Sequence, residues 1–152
     1  MRRVVAGVGN AYRGDDGAGL EVAARLRGRL PEGTELVQCV DEPSRLIDSW
    51  RGADVVIVVD AVASGVKPGT VYRFDASDGD IPEQIFRSST HAFGVGQTVA
   101  LSRALGHLPP RVIVYGIEGA DFDAGEGLTD PVAGAVDRAV DAVLADIKGG
   151  EG

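Results

Sequence analysis

The sequence has very little cysteine, with Cys39 as its single thiol. One cysteine cannot form an internal disulfide, and it cannot supply the paired cysteines of a structural zinc site. Cys39 lies within an apolar strand pattern, so we expect it to be a small core residue. Because nothing in the chain calls for oxidised cysteines, a cytoplasmic location is expected.

The chain also lacks a long apolar run and an excess of basic residues. It contains no 18 consecutive apolar residues, and MRRVVAGVG lacks the apolar segment and cleavage site of a secretory signal. We therefore expect no membrane association. The 15 Lys and Arg residues face 23 Asp and Glu, giving a net charge of -8. That charge disfavours nucleic acid as a partner, and we expect a monomer.

Strand and helix patterns alternate along the 152 residues, as in a single globular domain spanning 1–152. The pattern predicts strands at 2–9, 34–41, 53–62, 70–76 and 111–119. It predicts helices at 17–30, 43–50 and 91–106, and a last helix from about 130, capped by Thr129 or Asp130. This order predicts a three-layer α/β/α sandwich whose five-stranded sheet is mostly parallel, with 70–76 as an antiparallel edge strand.

The segment GVGNAYRGDDGAG, residues 7–19, looks like a glycine-rich phosphate loop but departs from both known kinds. The dinucleotide fingerprint needs a third glycine where Tyr12 stands. The P-loop needs Lys and then Ser or Thr where Asp15 and Asp16 stand. Two adjacent carboxylates repel a phosphate. The segment is therefore better suited to a cation than to a nucleotide.

Three residues are candidate metal ligands because they fall at one edge of the predicted sheet. Asp16 follows the first strand, Asp60 ends the third, and His91 precedes the helix that leads into the fifth. Ligands of such sheets bind beyond the carboxyl ends of the strands. Each residue alone has a simpler explanation, such as Asp15 or Asp16 capping the first helix. Together, two carboxylates and one imidazole predict a divalent metal site with open positions.

Other candidate groups are weaker. Cys39 and His91 could pair as nucleophile and base, but Cys39 lies in a strand. DASDGD, residues 75–80, is similar to a calcium loop, yet Phe86 stands where the bidentate Glu belongs. His107 follows a helix end, and we expect it in solvent.

Four segments together resemble the hydrogenase maturation proteases: GVGNAYRGDDGAG, VVDAV, STHAFGVGQTVALSRAL, and YGIEG with GLTDPV downstream. The resemblance runs from Arg3 to about Ile147. It implies a five-stranded sheet between helices, and an endopeptidase that removes the C-terminal extension of a nickel-iron hydrogenase large-subunit precursor after nickel insertion. The family positions that contact metal and carry catalysis fall on Asp16, Asp60 and His91.

The resemblance also bears on the metal and the partner. We expect nickel to arrive with the precursor rather than as a resident cofactor, with cadmium or zinc able to replace it in vitro. The family often has a glycine-rich segment where this chain has DEPSRL, residues 41–46, so the identity of the partner hydrogenase stays open. Two alternatives also stay open: a binding module that checks nickel in a client without cutting it, and a nucleotide-binding protein.

Overall fold

The computed structural model describes residues 1–40, 45–77, 79, 81–82, 85 and 94–149. Five strands form one sheet: β1 (Arg3–Gly9), β2 (Thr34–Val40), β3 (Val55–Val62), β4 (Val71–Asp75) and β5 (Arg111–Glu118). Their order across the sheet is β2-β1-β3-β5-β4, and β4 runs antiparallel to β5 at one edge. The predicted edge strand is thereby confirmed.

Helices cover both faces of the sheet. They are α1 (Ala18–Leu26), α2 (Leu46–Trp50), α3 (Val95–Ala104) and α4 (Asp130–Gly149), and a 3-10 turn at Gly14–Gly17 precedes α1. One core layer joins α1 and α4 to the sheet. The opposite layer contains residues of α2 and α3. This arrangement confirms the three-layer α/β/α sandwich and the mostly parallel sheet.

The first helix is shorter than predicted. It ends at Leu26 rather than at Leu30, because Arg27 is already extended and Gly28 has a φ of +80°. Leu30 still packs against the core from beyond the helix. Apolar spacing alone therefore placed the end of this helix too late.

The start of the third helix also differs from the prediction of 91–106. Gly94 is extended, its N–H donates to Oε1 of Gln97 at 2.7 Å, and the helix begins at Val95. Residues 91–93 of the predicted helix lie outside the described residues, as do residues 41–44. Within the described ranges, no helix is both long and apolar enough to cross a membrane.

Cys39 lies in the core, as predicted. Its side chain is 4% exposed. Burial raises the pKa of the thiol, although the nearby charge of Arg45 acts in the opposite direction. A protonated, buried thiol is a poor nucleophile, which agrees with a packing role.

A partly exposed ion cluster fixes α4 to the antiparallel edge strand of the sheet. Nε and Nη2 of Arg73 each lie 2.9 Å from a carboxylate oxygen of Asp146, and the Tyr115 hydroxyl donates to the same carboxylate. Burial raises the pKa of Tyr115 to about 12, and the neighbouring charge of Asp146 adds to this increase.

This cluster predicts a loss of stability at alkaline pH. Because the pKa of Tyr115 is higher in the folded protein than the value of 10.0 expected for the free side chain, its contribution is present below pH 10 and is lost as the pH rises towards 12. The free energy of unfolding, measured by urea titration, should fall less steeply over this range in Tyr115→Phe than in the wild type. Tyr12→Phe, at an exposed tyrosine, is the control. Equal slopes for Tyr115→Phe and the wild type would contradict the assignment.

Candidate functional site

The glycines of residues 7–19 bring α1 against the ends of two strands. A Cβ on Gly19 would lie 2.4 Å from the carbonyl oxygen of Val59 and 2.5 Å from that of Val8. A Cβ on Gly7 would lie 2.3 Å from the carbonyl oxygen of Gly19. No side chain fits at such distances, so these glycines serve close packing between backbones. The glycine pattern resembles that of a phosphate loop because in both cases a side chain would block the close approach of the backbone, here to another backbone segment and there to a phosphate.

Gly9 holds the turn that carries Asp16 against the end of β1. Its φ is +153°, and a Cβ would lie 2.0 Å from the carbonyl oxygen of Asp16. That oxygen also accepts a hydrogen bond from the N–H of Asn10 at 3.2 Å. Asp16 is 1% exposed. The local chain therefore places this carboxylate at the carboxyl end of β1, as the sequence predicted.

Asp15 is an internal anchor. Its Oδ2 accepts hydrogen bonds from the N–H groups of Ala120 and Asp121 and from the hydroxyl of Thr129, at 2.7, 3.0 and 2.8 Å. Its Oδ1 accepts from the N–H of Thr129 at 2.8 Å. Burial raises the pKa of Asp15, but these hydrogen bonds outweigh burial and the net pKa is lowered. Both oxygens are engaged, so Asp15 joins three segments rather than binding a ligand.

Asp60 lies near the end of β3 and is 1% exposed. Asp60 lies two residues from both Val58 and Val62, so it shares their face of the strand. Those two residues belong to the α2 and α3 layer, so the Asp60 side chain faces that layer. Its Oδ1 is buried without a hydrogen-bond partner within the described part of the chain. Burial raises the pKa of Asp60 well above its usual value, and the charge of Asp16 raises it further.

The structure thus brings Asp16 and Asp60 together, as two mutually repelling carboxylates in a buried setting. His91 lies outside the described residues, and its prediction is untested. Val95, four residues after His91, is fully buried in the layer that Asp60 faces. Among the described residues, no three His, Cys, Asp or Glu side chains are grouped closely enough to hold a metal ion.

The two carboxylates suit a cation chemically. A buried carboxylate oxygen without a partner is costly, and a second carboxylate nearby increases the cost. A divalent cation offsets both the cost of burying the unpartnered oxygen and the repulsion between the two carboxylates. Carboxylate oxygens are ligands for many such cations. The two carboxylates therefore fit a metal that approaches the carboxyl ends of β1 and β3.

Sequence reasoning missed Glu118, a further buried carboxylate at the same edge of the sheet. It ends β5 and is 1% exposed. Its position at a strand end is the signal that singled out Asp60, and it could have been found in the same way. His107 was expected in solvent, but it is half-buried, with Nε2 3.3 Å from Nη2 of Arg51.

Comparisons with known proteins agree with one another. A family model described as hydrogenase maturation protease matches residues 21–146. A protein from Methanocaldococcus jannaschii that carries the hydrogenase maturation protease name is 32% identical over 151 residues, covering 95% of this chain and 96% of that protein. The hydrogenase 2 maturation protease of Escherichia coli is 26% identical, covering 97% and 92%.

Solved structures are similar as well. The solution structure of an endopeptidase, HycI from Escherichia coli, matches with a TM-score of 0.72 and 26% identity, covering 100% of this chain and 92% of that one. The hydrogenase maturating endopeptidase HybD from Escherichia coli matches with a TM-score of 0.82, covering 99% and 94%. At 23% identity, the second match shows a shared fold.

Proposed function

The chain belongs to the hydrogenase maturation protease family and is a peptidase, and from this premise we propose that it removes the C-terminal extension of a nickel-iron hydrogenase large-subunit precursor after nickel insertion. The substrate is the precursor with its metal, so nickel is a part of the cargo rather than a resident cofactor. Asp16, Asp60 and His91 are the residues that we assign to nickel recognition and catalysis.

One observation carries this proposal. Oδ1 of Asp60 is buried without a hydrogen-bond partner among the described residues, and the charge of Asp16 raises the Asp60 pKa further. A precursor that already holds nickel brings a positive charge to these two carboxylates. An empty precursor does not, so binding and cutting become conditional on nickel loading.

The chemistry follows from placing the scissile bond beside the bound nickel. The carboxylates and the imidazole of His91 fix the precursor through its metal, which supplies orientation. Water then adds to the carbonyl carbon, the C–N bond breaks, and the released amine takes a proton. The positive charge of nickel favours this step by stabilising the oxygen that becomes negative. We assign no covalent nucleophile. Cadmium or zinc ions are expected to occupy the same ligand set in vitro.

Nickel dependence is tested with purified precursor in two forms, loaded with nickel and free of metal. We expect intact mass spectrometry to show loss of the C-terminal extension from the loaded form and no change in the empty form. A precursor lacking the extension serves as the control. Equal cutting of both forms would overturn nickel recognition. Stable binding of the loaded form without cutting would instead support a module that only checks the metal.

A further inference from the structure

A row of three residues crosses the sheet at Asp60. In the strand register, Asp60 of β3 pairs with Gly116 of β5, and Gly116 pairs with Tyr72 of β4. Gly116 lies two residues after Val114, which belongs to the α2 and α3 layer, so Gly116 is on the same side of the sheet as Asp60. Tyr72 packs against that layer as well. Because Gly116 has no side chain, β5 places nothing between the Asp60 carboxylate and Tyr72.

Hydrogen bonds fix the position of the Tyr72 side chain. The carboxylate of Glu118 accepts from the N–H groups of Ser64 and Gly65, at 3.0 and 3.3 Å, and from the Ser64 hydroxyl. The Ser64 hydroxyl in turn lies 3.0 Å from the hydroxyl of Tyr72. Ser64 follows β3, so the Tyr72 side chain leans from β4 over β5 towards the end of β3.

The direction of these hydrogen bonds decides what Tyr72 can bind. The Ser64 hydroxyl has a single hydrogen, and it donates that hydrogen to Glu118. The Tyr72 hydroxyl must therefore be the donor in its bond with Ser64. Its oxygen keeps only acceptor capacity, so the matching group on a ligand is a donor such as a backbone N–H.

We propose that Tyr72 forms the β4-side wall of the Asp60 site and accepts a hydrogen bond from a backbone N–H of the precursor segment that enters it. This inference rests on the proposed function, because it takes the occupant to be the peptide that is cut. The backbones of β3 and β4 are two strand spacings apart, about 10 Å. A peptide held at Asp60 therefore passes within side-chain reach of Tyr72, and Tyr72 is a residue that determines precursor binding.

The test is Tyr72→Phe, which keeps the ring and removes the acceptor oxygen. With nickel-loaded precursor we expect KM to rise about five- to tenfold, as for the loss of one hydrogen bond, and kcat to stay within about twofold. A KM equal to that of the wild type would overturn the proposal. A fall in kcat at constant KM would overturn it too, since it would place the effect on the reaction rather than on binding.

Tyr115→Phe is the matched control. It also removes one tyrosine hydroxyl from a hydrogen bond, but Tyr115 belongs to the opposite core layer, with α4. It should lower stability and leave KM unchanged. An equal rise of KM in both variants would show that the effect comes from general packing and would overturn the proposal. If the wild-type protein does not cut the loaded precursor, the proposed function fails. If the wild type cuts the loaded precursor and Tyr72→Phe has the same KM as the wild type, this inference fails and the proposed function stands.

Discussion

Asp60→Asn is expected to fold, to be more stable than the wild type and to lose precursor cleavage. The substitution keeps the shape of the side chain but removes an ionisable carboxyl whose charged form is opposed by burial and by repulsion from Asp16. Removing that repulsion should raise the free energy of unfolding by about 1 kcal/mol, the usual gain when a functional strain is relieved. Losing a ligand for the incoming cation should reduce cleavage by on the order of a hundred- to a thousandfold.

Both effects are measured on the same preparation, by urea titration and by mass spectrometry of the loaded precursor. Asp54→Asn is the matched control, because Asp54 directly precedes β3 at the opposite end, where it accepts a hydrogen bond from the N–H of Arg2. It should leave cleavage unchanged. Wild-type cleavage by Asp60→Asn would remove Asp60 from the site. Reduced stability would instead show that the carboxylate contributes to the fold.

Asp15→Ala should produce the largest loss of stability at this end of the molecule. It leaves three backbone N–H groups, of Ala120, Asp121 and Thr129, without the carboxylate that accepts from them. An unsatisfied buried donor costs about 1–3 kcal/mol, and because these three bonds are only partly buried we expect each loss at the lower end of that range, so the free energy of unfolding should fall by roughly 3 kcal/mol. Cleavage should also fall, because the turn that carries Asp16 loses its anchor.

Two further variants separate the anchor from general sensitivity of this loop. Thr129→Val removes one of the hydrogen bonds to Asp15 and should cost about 1 kcal/mol. Asp121→Ala removes an exposed carboxylate that accepts from the N–H of Asp123, and should change stability by less than about 0.5 kcal/mol. A loss in Asp121→Ala as large as in Asp15→Ala would contradict the special position of Asp15.

Sequence reasoning predicted the sheet well because its signals are local. The five consecutive apolar residues at the start of β3 indicate a strand covered on both faces, and all eight residues of the strand are buried. The same reasoning placed Asp16 and Asp60 at one edge, because carboxyl ends of parallel strands meet there. The end of α1 was missed because Leu30 continues the apolar spacing although Gly28 breaks the helix.

The supporting contacts of the site could not be read from the sequence. The sequence offered Asp15 as a helix cap, and its partners at Ala120, Asp121 and Thr129 are more than 100 residues away. The hydrogen bonds from Tyr72 through Ser64 to Glu118 likewise depend on how β4 and β5 pair. Such contacts are set by tertiary packing, which leaves no periodic pattern in the chain.

The long-range partners of Asp15 also decide when this site can form. Its partners Ala120 and Thr129 lie 105 and 114 positions after it along the chain. Closing so long a loop is entropically costly and comes late relative to local helices and hairpins. During synthesis, the turn of Asp16 therefore acquires its anchor only after Thr129 has left the ribosome. A chain that has not yet reached Thr129 lacks these hydrogen bonds, so the turn that carries Asp16 is fixed only after most of the sequence is available.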